Sequence, residues 1–229
     1  MQLEAIDIKD SLHVWVAGAN GLIAYSFDGG FSWTQQVTNT DVWFLGIHFG
    51  TPLLGYAVGM GGAIYKTTDG GVTWLKLNRG FSSYLHGISY PTDSTGYAAG
   101  DGGRVMKSTD AGTHWQALST GTPYNLTAVS FIDSLRGWVA GDRSTVLRTT
   151  DAGVTWAVVS PPAQMRISSI QFLDASHGFV LNRYGYVFRT TDGGDHWRTS
   201  APRNRTVFYS IFFSDVLHGW IAEIGRAHV

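Results

Sequence analysis

The sequence predicts an all-β chain: a β-propeller of four-stranded blades, five complete and a partial sixth, so a truncated six- or seven-bladed ring. Three observations predict it. A stretch of the form Ser/Thr-x-Asp-x-Gly-x-Ser/Thr/His-Trp occurs five times, at 26–33, 67–74, 108–115, 149–156 and 190–197. Its closing tryptophans, Trp33, Trp74, Trp115, Trp156 and Trp197, step by 41 residues, and self-similarity at such a period marks a propeller or solenoid. Each period also holds four short runs rich in Val, Ile, Tyr, Phe and Trp, bounded by Gly and Asp, which read as strands. No run reads as a helix, and four antiparallel strands in about 40 residues make a propeller blade.

The runs fall in a constant order. The first, at 3–8, recurs at 44–49, 85–90, 126–131, 167–172 and 209–213, closing from the second repeat on with Phe49, Tyr90, Phe131, Phe172 and Phe213. The second, at 55–59, recurs at 96–100, 137–141, 178–182 and 219–222. The third covers 63–67 and its equivalents, and the fourth starts at the closing tryptophan. Gly59-Met60-Gly61-Gly62 and Gly100-Asp101-Gly102-Gly103 look like phosphate-binding loops, but each joins strand to strand. Without a helix N-terminus to face an anion, they read as hairpin turns.

The octapeptide has a mechanical reading. Asp69 can turn its carboxylate back onto the N–H groups of a tight turn. Gly71 permits a positive φ, and Trp74 supplies a large apolar body for the seam between units. The pattern resembles the Asp-box, or BNR, repeat, which implies that it caps a hairpin on the outside of a blade. On this reading Asp28, Asp69, Asp110, Asp151 and Asp192 are turn-formers and not catalysts.

Composition excludes several classes. With 14% charged residues and a net charge of −1 there is no basic footprint for nucleic acid. The absence of cysteine removes disulfides, thiolate catalysis, iron–sulfur clusters and cysteine zinc sites. No apolar run approaches the ~18 residues of a membrane span, so no direct membrane insertion is expected. His177 and His218 are 41 apart with no third ligand in register, so no metal is expected there, nor any cofactor. The first seven residues lack the features of a signal peptide and enter a repeat almost at once, so any export signal is expected upstream.

The propeller array is expected over residues 1–222. Residues 223–229, Glu-Ile-Gly-Arg-Ala-His-Val, are what a common sequencing adapter encodes (GAG ATC GGA AGA GCA CAC GTC), so they are expected to be a non-native tail. Gly59, Gly100 and Gly141 predict glycine at 223. Extended genomic reads should show a glycine codon there and a further Asp-box downstream; reads in which the native gene ends at Val229 would contradict this.

Strand order predicts two rims. The Asp-box turn and the first-to-second loop share one, which repeats nearly verbatim. The second-to-third hairpin and the blade-to-blade loop share the other, which varies, and varied loops on a repeated scaffold are where recognition is usually placed. The variable rim carries Trp43, Arg79, Phe81, Tyr84, Tyr124, Arg166, Arg203 and Arg205 in blade-to-blade loops. Its hairpins carry Asp101, Asp142, Arg143, Arg183 and Tyr184. Arginine takes over from lysine after residue 114: residues 1–114 hold 6 basic and 9 acidic side chains, residues 115–222 hold 9 arginines and 7 aspartates. Arg143, Arg166, Arg183, Tyr184, Arg203 and Arg205 are therefore the expected partner-binding set, mixing the residue types that hot spots favour. The expected partner is an acidic or extended protein segment. Lys66, Lys107, Arg148 and Arg189 form a second ladder, expected to pack over the box tryptophan or neutralise its aspartate.

Enzymatic readings fare worse. A sialidase resemblance implies an arginine triad and a tyrosine nucleophile polarised by a glutamate, yet the only glutamates are Glu4 and Glu223. A xyloglucanase-like glycoside hydrolase needs two opposed carboxylates, for which Asp101 and Asp142 can be nominated. They lie at equivalent hairpins, where turn chemistry already explains aspartate. Another resemblance rests on Gly-Trp-Val-Ala-Gly at 137–141, Val-Leu-Arg-Thr-Thr-Asp-Ala-Gly at 146–153, Thr155-Trp156, and the aromatic-x-Asp-x-x-x-Gly step from Phe131 to Gly137. Over residues 3–222 the chain resembles the photosystem II assembly factor family of Asp-box propellers. That resemblance implies a non-enzymatic factor with an arginine-rich patch and an exported location (periplasm, extracellular space or thylakoid lumen). Its implied client is a membrane-protein precursor.

Overall fold

Each full repeat folds as a meander of four antiparallel strands. The computed structural model describes residues 2–77, 82–162, 165–200 and 207–223. Blade 1 comprises β1 (Leu3–Ile8), β2 (Val14–Gly18), β3 (Ile23–Ser26) and β4 (Thr34–Gln35). Blade 2 comprises β5 (Phe44–Phe49), β6 (Gly55–Gly59), β7 (Ile64–Thr67) and β8 (Leu75–Lys76), and blade 3 β9 (Leu85–Ser89), β10 (Gly96–Gly100), β11 (Arg104–Ser108) and β12 (Gln116–Ser119). Blade 4 is β13 (Leu126–Phe131), β14 (Gly137–Gly141), β15 (Val146–Thr149) and β16 (Ala157–Val158). Blade 5 is β17 (Ile167–Phe172), β18 (Gly178–Asn182), β19 (Val187–Thr190) and β20 (Arg198–Ser200), and β21 (Phe208–Phe213) pairs with β22 (Gly219–Glu223) in a two-stranded sheet. The fold is the expected all-β propeller with five four-stranded blades and a partial sixth. Its only helical pieces among the described residues are single 3-10 turns at Met60–Gly62, Asp101–Gly103 and Asp142–Ser144. The chain divides into two compact units, Met1–Leu118 and Ser119–Val229.

Several strand ends differ from the expectation. The fourth strand starts one residue after the box tryptophan, because the residue before that tryptophan is still tied into the box turn. The third starts one residue late in blade 2, at Ile64, but on the expected residue in blade 3, at Arg104; β9 ends one residue early, at Ser89, and β21 starts one residue early, at Phe208. Strand β22 takes in Glu223, whose backbone pairs with Phe208; the ladder admits any residue there, and 224–229 lie outside the described residues. Sequence reading also missed a bulge near the rim end of every first strand, where residues such as Thr127, Ser168 and Tyr209 are left unpaired. Bulges re-aim side chains.

The box closes as its residues suggest. Thr73 donates twice to Asp69, from N–H to Oδ1 (2.9 Å) and from Oγ1 to Oδ2 (2.6 Å). Thr67 Oγ1 donates to Asp69 Oδ1 (2.8 Å) and accepts the Gly71 N–H (2.7 Å). The same set recurs at Asp28, Asp110, Asp151 and Asp192, with His114 and His196 in place of the serine or threonine. Gly71 has φ 91°, and a Cβ there would collide with Gln36 of the preceding blade. The left-handed conformation favours glycine, and a side chain there would also have to displace the Gln36 amide.

Within each unit the blades lock through a repeated three-ring stack. The aromatic closing a first strand lies face to face with the second-strand aromatic of the preceding blade. The pairs are Trp15–Phe49 (4.0 Å, 12°) and Tyr56–Tyr90 (3.7 Å, 6°) in unit 1, and Trp138–Phe172 (3.6 Å, 3°) and Phe179–Phe213 (3.5 Å, 5°) in unit 2. The box tryptophan meets the closing aromatic edge-on, as in Phe49–Trp74 (6.0 Å, 87°) and Phe172–Trp197 (6.3 Å, 82°). Gly55 and Gly137 make room for it, since a Cβ at either would strike the ring of Phe49 or Phe131. Trp74 and Trp197 also donate across the seam, to Gln36 Oε1 (3.0 Å) and the Val159 carbonyl (2.7 Å).

The basic ladder takes a different partner from the one expected. Lys66 lies over Tyr56 (5.6 Å), Lys107 over Tyr97 (5.8 Å) and Arg189 over Phe179 (5.9 Å), all second-strand rings and not box tryptophans. Lys66 Nζ reaches the Ala111 carbonyl in the next box (3.0 Å), where Tyr56 also donates (3.1 Å). Arg148 and Trp138 do the same to the Gly193 carbonyl (3.3 and 2.9 Å).

Candidate functional site

Backbone hydrogen bonds assign the two rims as strand order predicts. The box turn binds the first-to-second loop, through Gly70 N–H to Leu53 O (2.9 Å) and Gly193 N–H to Ser176 O (2.9 Å). The second-to-third hairpin binds the blade-to-blade loop, through Asp101 N–H to Tyr84 O (3.0 Å), Asp142 N–H to Asn125 O (2.9 Å) and Arg183 N–H to Arg166 O (3.3 Å).

On the variable rim of unit 2 the chain assembles three exposed arginines, Arg143, Arg166 and Arg183. Arg143 sits where blades 2 and 3 use Gly61 and Gly102, and keeps their left-handed conformation at φ 56°; Ser144 follows at φ 57°. Non-glycine residues resist this region, and such outliers cluster at functional sites. The strain is offset locally: Ser144 donates to the Met165 carbonyl from N–H (2.6 Å) and Oγ (2.9 Å), and its Oγ accepts the Met165 N–H (2.8 Å). The result holds the Arg143 guanidinium 5.1 Å from the Tyr124 ring centre.

Arg183 is placed by a buried asparagine. Asn182 Oδ1 accepts the N–H groups of Tyr184 and Tyr186 (both 3.0 Å), closing a turn completed by Gly185 at φ 81°. This sets Arg183 over the bulged Tyr209 (5.6 Å) and leaves Tyr184 62% exposed. Arg166 spends part of its charge on Asp142 (Nε–Oδ1 3.4 Å). The structure thus brings Arg143, Arg166, Arg183 and Tyr184 to one rim, while Arg79, Phe81, Arg203 and Arg205 lie outside the described residues. Tyr124, expected on this rim, and Tyr209, expected among its arginines, seat Arg143 and Arg183. Their signal was position, since each lies beside an arginine-bearing hairpin.

The carboxylates nominated for hydrolysis each have a partner. Asp101 Oδ1 meets His86 Nε2 at 2.7 Å, and Asp142 meets Arg166. His177 and His218 face Asp174 and Asp215 at 2.9 Å, where each aspartate also caps its own loop through backbone N–H groups. Among the described residues no group of three metal-ligating side chains converges, and no helix is long and apolar enough to cross a membrane.

A family model described as photosynthesis system II assembly factor YCF48 matches the chain in three overlapping stretches, 32–128, 77–150 and 113–197. The chain belongs to this family. No curated protein matches it. Among solved structures it resembles "YCF48 bound to D1 peptide", at 19% identity and TM-score 0.73, covering 96% of this chain and 74% of that one. YCF48 from Cyanidioschyzon merolae is also 19% identical, with TM-score 0.62 and coverage of 96% and 91%. The GH74 enzyme of Niastella koreensis is 17% identical with TM-score 0.73, covering 91% of this chain and 42% of that one. Likeness at these identities shows a shared fold, so the YCF48 family assignment rests on the family match.

Proposed function

We propose that this YCF48-family chain is a non-catalytic binding scaffold, exported from the cytoplasm, that holds an acidic or extended segment of a protein client on the arginine–tyrosine rim of unit 2. The observation that carries the reading is the seating of Arg143 and Arg183 over Tyr124 and Tyr209. Each guanidinium is pre-oriented by a ring yet exposed at its edge, so little rotamer entropy is lost when it forks onto a carboxylate. The solved YCF48 with a bound D1 peptide supports peptide binding as the mode, and a membrane-protein precursor is the client the family suggests. Arg203 and Arg205 belong to the same proposal on sequence grounds.

Co-purification with the full-length protein tests it. Changing Arg143, Arg166 and Arg183 together to alanine should lower client recovery at least about tenfold, since centrally placed arginines often cost about 2 kcal/mol or more each when truncated. Binding by the parent protein should weaken with salt. Unchanged recovery would reject the rim. Turnover of xyloglucan or a sialoside would hand the case to the glycosidase reading.

A further inference from the structure

Unit 1 breaks the pattern of seam cations at one place. Between blades 2 and 3, Lys66 crosses over Tyr56 to the Ala111 carbonyl; between blades 4 and 5, Arg148 crosses to the Gly193 carbonyl and to Asp195 (3.1 Å). The equivalent position in β3 is Tyr25. The equivalent carbonyl, that of Gly70, is taken instead by Gln36 Nε2 (2.7 Å). At this seam a cavity of about 400 Å³ opens, lined by His13, Tyr25, Phe27, Gln36, Asp69 and Gly70 among others.

Its lining suits a cation. Phe27 packs against Tyr25 (4.4 Å) and His13 (4.9 Å), giving a cluster of aromatic faces, and attraction of cations to such faces is electrostatic. Asp69 brings a carboxylate whose oxygens also hold Thr67 and Thr73, and Asp10, outside the lining, pairs with His13 at 2.8 Å. The surrounding sequence is acidic on balance, with 9 acidic against 6 basic residues in 1–114. We propose that this cleft binds a cationic side chain, an arginine or lysine in an extended partner segment, beside Tyr25, where the seams of blades 2–3 and 4–5 carry Lys66 and Arg148. The inference does not depend on the arginine–tyrosine rim and calls for a ligand group of opposite charge.

The test titrates the full chain with N-acetyl-arginine methylamide and, separately, with its neutral isostere N-acetyl-citrulline methylamide, following backbone amides by NMR. The arginine probe should give saturable shifts at Tyr25, Phe27, Gly70 and Gly71 and bind about threefold or more tighter than citrulline, the size of one partly exposed cation–π contact. Tyr25→Lys, which restores the repeat's own cation, should abolish those shifts. Equal binding of the two probes, or no saturable shift at these amides, would overturn the proposal without reference to any variant. Shifts that persist in a folded Tyr25→Lys protein would overturn it too.

Discussion

Trp138→Ala should destabilise unit 2 by about 3–5 kcal/mol, the usual cost of deleting a large buried aromatic. Trp138 is fully buried, stacks on Phe172 at 3.6 Å and donates its indole N–H to the Gly193 carbonyl at 2.9 Å. Alanine removes the ring that joins blades 4 and 5 and leaves that carbonyl to Arg148. Against a typical total of about 5–15 kcal/mol, such a loss is a large share of the stability. Trp138→Phe keeps a ring on Phe172 but loses the hydrogen bond and part of the indole's volume, for about 1–3 kcal/mol, and the repeat itself uses phenylalanine at the matching position, Phe179. Urea midpoints of the two variants separate the contributions. A Trp138→Ala protein within 1 kcal/mol of the parent would contradict the three-ring seam.

Acid should destabilise this protein, in part through its boxes. Asp28, Asp69 and Asp151 are held down to about 2, first by the hydroxyls of Ser32, Thr73 and Thr155 and then by the same residues' N–H groups. Asp110 is also down to about 2, chiefly through the His114 N–H, and Asp192 is lowered chiefly through the His196 N–H. In the unfolded chain these carboxylates protonate near their ordinary value of about 3.8–3.9. Depressed folded values mean that the unfolded state binds more protons between about pH 4 and pH 2, so stability is fully present above pH 4 and is lost as pH falls through that window. The urea midpoint should therefore drop steeply from pH 4 to pH 2. Replacing Asp69 and Asp151 by asparagine should make that slope shallower while lowering the midpoint at pH 7. A midpoint flat between pH 4 and pH 2 would refute the capping role.

How far the sequence revealed this depended on which features repeat. The 41-residue register of Trp74 and its equivalents, with the aromatic-to-glycine step from Phe49 to Gly55, located strands to within a residue because each repeat must bury the same faces. The ladder of Trp15, Tyr56, Tyr97, Trp138, Phe179 and Trp220 was equally periodic. Its importance became legible only when the stack showed what it touches. The bulge at Tyr209 left no signal, since it arises from ladder geometry and not from residue type. At the rim, charge bias and loop variability pointed to Arg143, Arg166 and Arg183. They did not reveal that Asp142 engages Arg166, or that Tyr124 and Tyr209 seat the other two. The cleft beside Tyr25 became legible only once Lys66 and Arg148 had been traced to their carbonyls.

The most direct test of the central claim places a photo-crosslinking amino acid at Tyr184, on the arginine–tyrosine rim, or at Val154, on the box turn of blade 4. Both positions are exposed, at 62% and 76%, so either can report contact. The account predicts a client adduct from position 184 that disappears when Arg143 and Arg183 are both changed to alanine, and none from position 154. A client captured from 154 and not from 184 would contradict it.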